Sequence, residues 1–403
     1  MSKTAPTRPR WLFVIPRFPR PDHSGGERRL IEVMNAFAKR CDVSVLAMAA
    51  ATNDDSEYQR AMTTAGFRLV GSGFRAGLLA LLLHRFDAIF FEFYFTTDGL
   101  LRAARALQPQ AMAVVDSVDI HFLREREQGR LANLDPALAA QTERQELEAY
   151  RAADVTVVVS EQERRVLLQH GIERTELIPI IVPTLERAQR ERDAELLFVG
   201  GFNHAPNGLA VDWFHEEVWP IVRQQVPEAR WVIAGSNTPD RVLALDGQQG
   251  ISVAGFVPDT APLLHSAQVS IAPLTFGGGM KGKVSEALAA GVPVVTTKWG
   301  AQGLEEGIGT AFIVADSAAE FASAVVTLLT DRGQRERLST GGQSLAEHLC
   351  SIASAMPAIS ALIDQSTTVR RAPALPRRLF SFLNLMATYS LRIFGRIFKT
   401  QPA

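Results

Sequence analysis

The sequence predicts an α/β protein made of two Rossmann-like, doubly wound domains that face a central cleft. Short, β-branched and nearly continuous apolar runs alternate with helical segments, as in parallel strands covered by helices on both faces. This alternation occurs twice, on either side of a charged stretch without apolar periodicity at 183–193. Because ligands bind at the carboxyl ends of the strands in such sheets, we expect the functional site in the cleft.

The first domain is expected to comprise residues 1–188. Its strands are predicted at Leu12–Ile15, Val43–Ala47, Ala88–Phe91, Met112–Val115 and Val155–Val159. Its helices are predicted at Gly26–Arg40, Asp98–Leu107, Pro136–Ala152 and Glu161–His170.

The second domain is expected to comprise residues 189–366. Its strands are predicted at Leu196–Val199, Trp231–Ala234, Ser252–Ala254, Val269–Ala272, Val292–Thr296 and Phe312–Val314. Its helices are predicted at Gly208–Gln225, Lys281–Ala290, Ala318–Leu329 and Gln334–Leu349.

Composition excludes several classes of protein. The 403 residues are enough for two cores, and 47% hydrophobic with 21% charged residues is ordinary for a globular protein. A net charge of −1 argues against a nucleic-acid partner bound through overall charge. Two cysteines, Cys41 and Cys350, cannot form a disulfide framework, which favours a reducing, cytoplasmic location. Trp11–Ile15 is too short for a signal-peptide core, and no apolar run approaches the length that spans a bilayer.

The last segment, residues 367–403, has a different composition. No acidic residue follows Asp364, and basic side chains are interleaved with apolar and aromatic ones from 370 to 399. Such a tail is predicted to be an amphipathic helix that lies on an anionic membrane surface, peripheral to the inner face of the membrane. The alternative is a helix that docks on the protein itself or on a partner.

The most informative motif is a run of three glycines, Gly277 to Gly279, between a buried strand and an amphipathic helix. Glycines allow close backbone approach to a ligand, and the first N–H groups of a helix bind anions. Two lysines and a glutamate in the first two turns favour a nucleoside diphosphate with a sugar attached. The predicted donor-binding residues here are Gly278, Gly279, Met280, Lys281, Lys283 and Glu286.

Within this motif, the lysines are expected to neutralise a diphosphate leaving group, and Glu286 to accept both hydroxyl protons of a ribose diol. The alternative is a pair of solubilising lysines and a solvated helix glutamate.

Two further glycine pairs follow predicted strands. Gly25 and Gly26 end a proline-rich loop after the first strand, and Gly200 and Gly201 follow the first strand of the second domain. They would bring backbone N–H groups to a phosphate or a sugar hydroxyl. We add Asn203 and His204, on the second of these loops, to the donor-binding set. Plain helix-start loops and a histidine without a ligand are the alternatives.

Acidic residues and a histidine follow another predicted strand of the first domain. Asp116, Asp119 and His121 are the predicted catalytic residues, either binding an acceptor hydroxyl or transferring a proton. Glu92 is a weaker candidate, and His121 as an ordinary polar loop residue is the alternative. No Asp-x-Asp motif or clustered Cys and His pattern indicates a metal, so the chemistry is expected to use the helix dipole and cations.

These motifs resemble those of the retaining glycosyltransferases of family 4, the "group 1" family with the GT-B fold. The resemblance covers roughly residues 11 to 350. It is carried by Phe276–Val295 and Gly300–Leu304, with support from Phe198–Asn207 and Val159–Glu163. It implies a nucleotide-sugar donor held by the second domain, an acceptor held by the first, and no metal requirement.

The sequence departs from the family pattern at two places. Members often carry two glutamates eight positions apart, and here the second is Glu286 while the first position holds Gly278. Many members also carry an arginine and a lysine where this chain has Gly201 and Asn207. Lys281 and Lys283 would then supply the charge.

The sequence therefore predicts a hexosyl-type glycosyltransferase. It would move a sugar from a UDP- or GDP-type donor, without a cofactor and with retention, to a hydroxyl of a glycan, a lipid-linked or another acceptor, in polysaccharide or glycolipid assembly. The alternatives are a sugar-nucleotide 2-epimerase and an inactive nucleotide-sugar-binding scaffold.

Overall fold

A computed structural model describes residues 8–132, 136–183 and 195–367. The predicted membrane-binding tail lies outside the described residues, apart from Thr367. Both predicted doubly wound domains are present, and the sequence prediction of the fold class is confirmed.

The first sheet is parallel throughout, with the strand order β3-β2-β1-β4-β5-β6-β7. The strands are β1 Arg10–Ile15, β2 Asp42–Ala47, β3 Arg68–Ser72, β4 Ala88–Glu92, β5 Met112–Asp116, β6 Val155–Val158 and β7 Thr175–Leu177. The helices are α1 Gly25–Ala38, α2 Ser56–Thr64, α3 Gly73–Leu83, α4 Leu100–Leu107, α5 His121–Ala132, α6 Pro136–Ala152 and α7 Glu161–Gln169.

The second sheet is also parallel, with the order β10-β9-β8-β11-β12-β13. Its strands are β8 Glu195–Val199, β9 Arg230–Ala234, β10 Ile251–Gly255, β11 Val269–Ala272, β12 Val294–Thr296 and β13 Phe312–Val314. The helices are α8 Ala205–Trp213, α9 Trp219–Gln225, α10 Asp240–Leu243, α11 Ala261–Ser266, α12 Gly282–Ala289, α13 Ala318–Thr330, α14 Arg332–Cys350 and α15 Ile352–Ser366. One π-helical turn, Phe214–Val218, joins α8 to α9.

Each sheet has an apolar core on both faces, which explains why its central strands are apolar throughout. In β1, Trp11 and Phe13 pack on one face and Leu12 and Val14 on the other. Strands β3 and β7 were not predicted from the sequence, because they lie at the sheet edges and bury few of their side chains. The helix that begins at His121 was not predicted either.

The C-terminal helix α15 lies within the range predicted for the second domain, 189–366, but packs on the first. Its apolar face (Ala355, Ile359 and Leu362 among others) belongs to the core that contains Trp11 and Phe13 of the first domain. Helices α14 and α15, which together span residues 332–366, are long and apolar enough to cross a membrane by length and composition alone. The buried residues of these two helices belong to cores of both domains.

Candidate active-site cleft

A cavity of about 780 Å³ lies between the two domains. Its walls are loops that follow the carboxyl ends of strands in both sheets. In each sheet the strand order reverses at one point, between β1 and β4 and between β8 and β11. The loops that follow these strands all contribute to the cavity wall, as expected for ligand sites in open α/β sheets.

Two helix N-termini meet across the cavity. Helix α1 begins at Gly25 and α12 begins at Gly282. A β-carbon built on Gly282 would lie 3.9 Å from the Cα atom of Gly25, so the backbones approach closely. The first N–H groups of each helix lack intrahelical acceptors, and two positive helix ends facing one cavity favour an anion there. The predicted donor-binding residues Gly25 and Gly26 line the cavity.

Lys281 is buried at the N-cap of α12. Its Nζ atom donates to the carbonyl oxygen of Gly278 at 2.7 Å and to the side-chain oxygen of Gln302 at 3.1 Å. Burial lowers the pKa of Lys281 to about 8, although the nearby carboxylates of Asp119 and Glu163 raise it. Its hydrogen-bond partners are neutral groups that do not cancel the charge of the ammonium. That charge is therefore available to an anionic ligand.

Lys283 lies one residue into the same helix. Its Nζ atom donates to the side-chain oxygen of Asn207 and sits 4.4 Å from the ring centroid of Phe198. Burial, assisted by the charge of Lys281, lowers the pKa of Lys283 to about 7. This ammonium therefore loses its proton near neutral pH unless an anion binds beside it.

Glu286 faces the cavity from the second turn of α12. It pairs with Arg28 of α1, whose Nη1 atom is 3.4 Å from a carboxylate oxygen. Burial raises the pKa of Glu286 above its ordinary value, and the charges of Arg28 and Lys283 and a hydrogen bond from Thr260 oppose that rise. The pair joins the two domains at the mouth of both helices.

The loop after β8 forms another part of the second-domain wall. Gly201, Asn203 and His204, the residues of this loop that were predicted to bind the donor, line the cavity. The carbonyl oxygen of Gly201 accepts a hydrogen bond of 2.7 Å from the Asn207 amide, the same side chain that holds Lys283. His204 is exposed at the N-cap of α8.

The glycine run packs against the first domain. Gly279 has φ +65°, and a β-carbon there would lie 3.0 Å from Cβ of Asp119. At Gly278 a β-carbon would lie 3.2 Å from Cβ of Arg124. Gly278 and Met280 line the cavity, whereas Gly279 supplies backbone that Lys281 binds. Glycine is thus required at 279 by both its conformation and its neighbour.

Asp116 does not face the cleft, which corrects its expected position. Its carboxylate is 1% exposed and forms a two-point ion pair with Arg29, at 2.6 and 3.3 Å. Arg29 also donates to the carbonyl oxygens of Ile178 and Pro179, at 2.7 and 3.0 Å. Asp116 therefore balances a buried guanidinium that ties α1 to the end of the first domain.

Asp119 and His121 do line the cavity. The Nε2 atom of His121 lies 3.0 Å from one Asp119 oxygen, and Arg124 binds the other. Burial favours the neutral acid, but the hydrogen bond from His121 and the charge of Arg124 outweigh it, so the pKa of Asp119 lies below its ordinary value. The carboxylate is held ionised where the glycine run meets the first domain.

Glu163 is a buried acid beside Gly279 whose position the sequence did not reveal. It is 4% exposed in the first turn of α7, where it accepts from the N–H of Val159 and the hydroxyl of Ser117, both at 3.2 Å. Its second carboxylate oxygen has no hydrogen-bond partner among the described residues and points toward Gly279. Burial raises the pKa of Glu163 to about 8, and Asp119 adds to the rise. Glu163 belongs to the Val159–Glu163 segment that supports the family resemblance, but no role was predicted for it from the sequence.

Two phenylalanines of the cleft wall were also missed, Phe93 and Phe95 after β4. The signal was present as an aromatic run immediately beyond a strand end. The weaker candidate Glu92 is 4% exposed beside the Arg29–Asp116 pair, and burial raises its pKa well above the ordinary value. In the described ranges, no three His, Cys, Asp or Glu side chains are grouped as metal ligands.

The fold matches solved glycosyltransferase structures. The Anabaena protein Alr3699/HepE in complex with UDP has a TM-score of 0.66 and 14% identity, with 88% of this chain and 100% of that chain covered. The structure of TarM has a TM-score of 0.70 and 9% identity, over 88% and 98% of the two chains. Sucrose-phosphate synthase from Thermosynechococcus elongatus has a TM-score of 0.64 and 15% identity, over 88% and 98%.

A complex of a mutant S. aureus TarM matches over 72% of this chain, which spans only 58% of that longer one, at 12% identity and a TM-score of 0.59. These likenesses, together with two parallel sheets around one cleft, define the GT-B fold of glycosyltransferases.

Two family models identify the family. The model "Glycosyltransferase Family 4" matches residues 23–184, and "Glycosyl transferases group 1" matches residues 193–331. The chain belongs to the family 4, group 1 glycosyltransferases. A search of curated proteins found no significant match.

Proposed function

We propose that this glycosyltransferase moves a hexosyl group from a nucleoside diphosphate donor, of UDP or GDP type, to a hydroxyl acceptor with retention and without a metal ion. The observation that carries the proposal is the meeting of two helix N-termini, Lys281, Lys283 and Glu286 in one cavity. Each element suits a different part of a sugar nucleotide.

The diphosphate would lie at the N-terminus of α12. Backbone N–H groups and the ammonium of Lys283 would stabilise the negative charge that grows on the diphosphate as the sugar departs. The N–H groups and the ammonium would take the role that a divalent ion has in other diphosphate sites. This supports metal-independent transfer. Glu286 would accept hydrogen bonds from the ribose diol, exchanging its ion pair with Arg28 for contacts with the ligand.

The acceptor would bind on the first-domain wall, beside Asp119 and His121. In the transfer, the anomeric carbon exchanges its bond to a diphosphate oxygen for one to the acceptor oxygen, and the acceptor hydroxyl loses a proton. His121, whose Nε2 atom lies 3.0 Å from Asp119, would orient that hydroxyl or receive its proton. Closure of the domains would exclude water that otherwise hydrolyses the donor.

We assign the pathway, polysaccharide or glycolipid assembly at the cytoplasmic face of a membrane, from composition and the basic tail at 370–399, which lies outside the described residues. UDP is the first nucleotide to test, because it is named in the HepE complexes.

The test is a panel of UDP-, GDP- and TDP-sugars incubated with the purified protein, with release of nucleotide as the readout. We expect turnover of one donor, and loss of that turnover in Glu286→Ala. Glu347→Ala is the matched control, since Glu347 is an exposed helix glutamate outside the cavity. NMR of the product's anomeric proton would test retention.

Two other outcomes would point to different functions. Binding of a donor without turnover, with a range of hydroxyl acceptors present, would favour the nucleotide-sugar-binding scaffold. Conversion of the donor to its 2-epimer would identify an epimerase instead.

A further inference from the structure

An aromatic surface lies on the first-domain wall of the cavity, immediately after β4. The rings of Phe93 and Phe95 are stacked, with centroids 5.2 Å apart and planes inclined by 12°. Tyr94 packs edge-on against Phe95 at 5.4 Å. We call Phe93 and Phe95 the aromatic platform. Both line the cavity, and Phe95 is 44% exposed.

The backbone of Phe93 is held in a conformation that side chains rarely adopt. Its φ of +66° and ψ of 150° fall in a region populated almost only by glycine. Hydrogen bonds fix it there, because its N–H donates to the carbonyl of Asp116 at 2.8 Å and its carbonyl accepts from the hydroxyl of Thr96 at 2.9 Å. Strain of this kind persists where the surroundings enforce it, and it is typical of ligand-binding segments.

Polar groups surround the platform. The imidazole of His121 lies 5.3 Å from the Phe93 ring centroid and 6.1 Å from that of Phe95. The same imidazole contacts Asp119, which packs against the glycine run at the mouth of α12. An apolar face therefore lies next to hydrogen-bonding groups and one side chain away from the expected position of the diphosphate.

We propose that the aromatic platform binds the sugar ring of a saccharide acceptor, so that the accepting hydroxyl belongs to a pyranose. A pyranose has a face of C–H groups and a rim of hydroxyls. The C–H groups suit the negative face of an aromatic ring, and the rim suits His121 and Asp119. This inference rests on the proposed function and names the class of its acceptor.

A nucleobase could also stack on a phenylalanine, but the features expected to hold a nucleotide lie on the opposite wall. Lys283 and Glu286 belong to α12, and that wall has its own exposed aromatic side chain, Phe256, also 44% exposed. Phe256 therefore provides a matched comparison for Phe95.

The test measures saturation-transfer NMR signals of methyl pyranosides (gluco, galacto, manno and N-acetylglucosamine forms), with glycerol as a ring-free alcohol. We expect at least one pyranoside to receive saturation from the wild-type protein at its C–H protons, and glycerol to receive none. Phe95→Ala should weaken that binding about tenfold, because a stacked aromatic contact is lost. Phe95→Trp should restore it, and Phe256→Ala should leave it unchanged.

With an active donor, the ratio of transfer to hydrolysis should also fall about tenfold in Phe95→Ala, mainly through KM for the pyranoside. The proposal is overturned if no pyranoside binds, if Phe95→Ala matches the wild type, or if Phe95→Ala weakens UDP binding instead. Phe95-dependent pyranoside binding in a protein that turns over no donor would retain this inference and reject the proposed transferase activity.

Discussion

Charged side chains on the two sides of the cleft have different kinds of partners. On the second-domain wall, Lys281 and Lys283 are held by neutral acceptors, namely backbone carbonyls and the side chains of Gln302 and Asn207. In the first domain, two acids are already matched, Asp119 on the cleft wall by Arg124 and His121, and the buried Asp116 by Arg29.

The difference indicates what each wall can bind. A cation with neutral partners in a desolvated site gains most when an anion arrives, so the second wall is arranged for a diphosphate. A wall with paired charges offers little net field and binds by shape, aromatic contact and hydrogen bonds, which suits an uncharged acceptor. Substitutions at Asp116, Glu163 and Lys283 would test this contrast, with the largest effect expected at Asp116.

Asp116→Asn would remove the counter-charge of a fully buried guanidinium. We expect the free energy of unfolding to fall by about 3–5 kcal/mol, since breaking a buried pair leaves Arg29 uncompensated. Urea denaturation measures this. Asp119→Asn, three residues away on the cleft wall, should lose much less stability and more activity. Equal losses of stability in the two variants would remove the distinction between core and cleft acids.

Glu163 is a buried acid of the first domain with one carboxylate oxygen that has no hydrogen-bond partner among the described residues. Its pKa is raised to about 8, so the folded protein holds a proton that the unfolded chain releases near 4.5. The stabilisation that this proton provides is complete below the unfolded pKa and is lost as the pH rises toward 8, by at most about 1.4 kcal/mol per pH unit.

Glu163→Gln should therefore become more stable relative to the wild type as the pH increases from 5 to 8, in urea titrations at each pH. Glu347→Gln, at an exposed site, should show no such trend. A difference between Glu163→Gln and the wild type that is constant with pH would mean that Glu163 is ionised throughout.

Lys283 should make UDP binding depend on pH. Its pKa of about 7 means that the ammonium is charged at pH 6 and largely neutral at pH 8.5. Lys283→Gln should raise the Kd for UDP about tenfold at pH 6, by loss of one charge-assisted contact, and by much less at pH 8.5. Isothermal titration calorimetry measures both.

UDP itself titrates in the same way with the variant and with the wild type. The ratio of the two Kd values at each pH therefore reports the contribution of Lys283 alone. Lys298→Gln serves as the control, because Lys298 is exposed and outside the cavity lining. A Kd ratio that does not change with pH would contradict the assigned titration.

Much of the fold could be predicted because the central strands are buried on both faces and read as continuous apolar runs. The residues of the second-domain wall could also be predicted from the sequence. Gly278, Lys281, Lys283 and Glu286 are close together in the chain, and one strand-loop-helix unit contains them all. Their roles in donor binding stay predictions until a ligand is tested.

The first-domain wall was harder to predict because it is assembled from distant segments. Asp116 and Asp119 follow the same strand, yet the first turns into the core to meet Arg29, which lies 87 residues earlier. Glu163 meets Ser117 across 46 residues. Local spacing contains no information on such partners, so the sequence could not separate a structural acid from one that faces the cleft.

Helix α15 has a consequence for how the protein is made. The first domain takes one of its core helices from residues 352–366, at the far end of the second domain. During synthesis the apolar surface of α1 and β7 that α15 covers must therefore stay exposed until the ribosome has produced nearly the whole described chain. An N-terminal fragment that ends between the two domains would expose the apolar surface of α1 and β7 that α15 covers, and it would tend to aggregate.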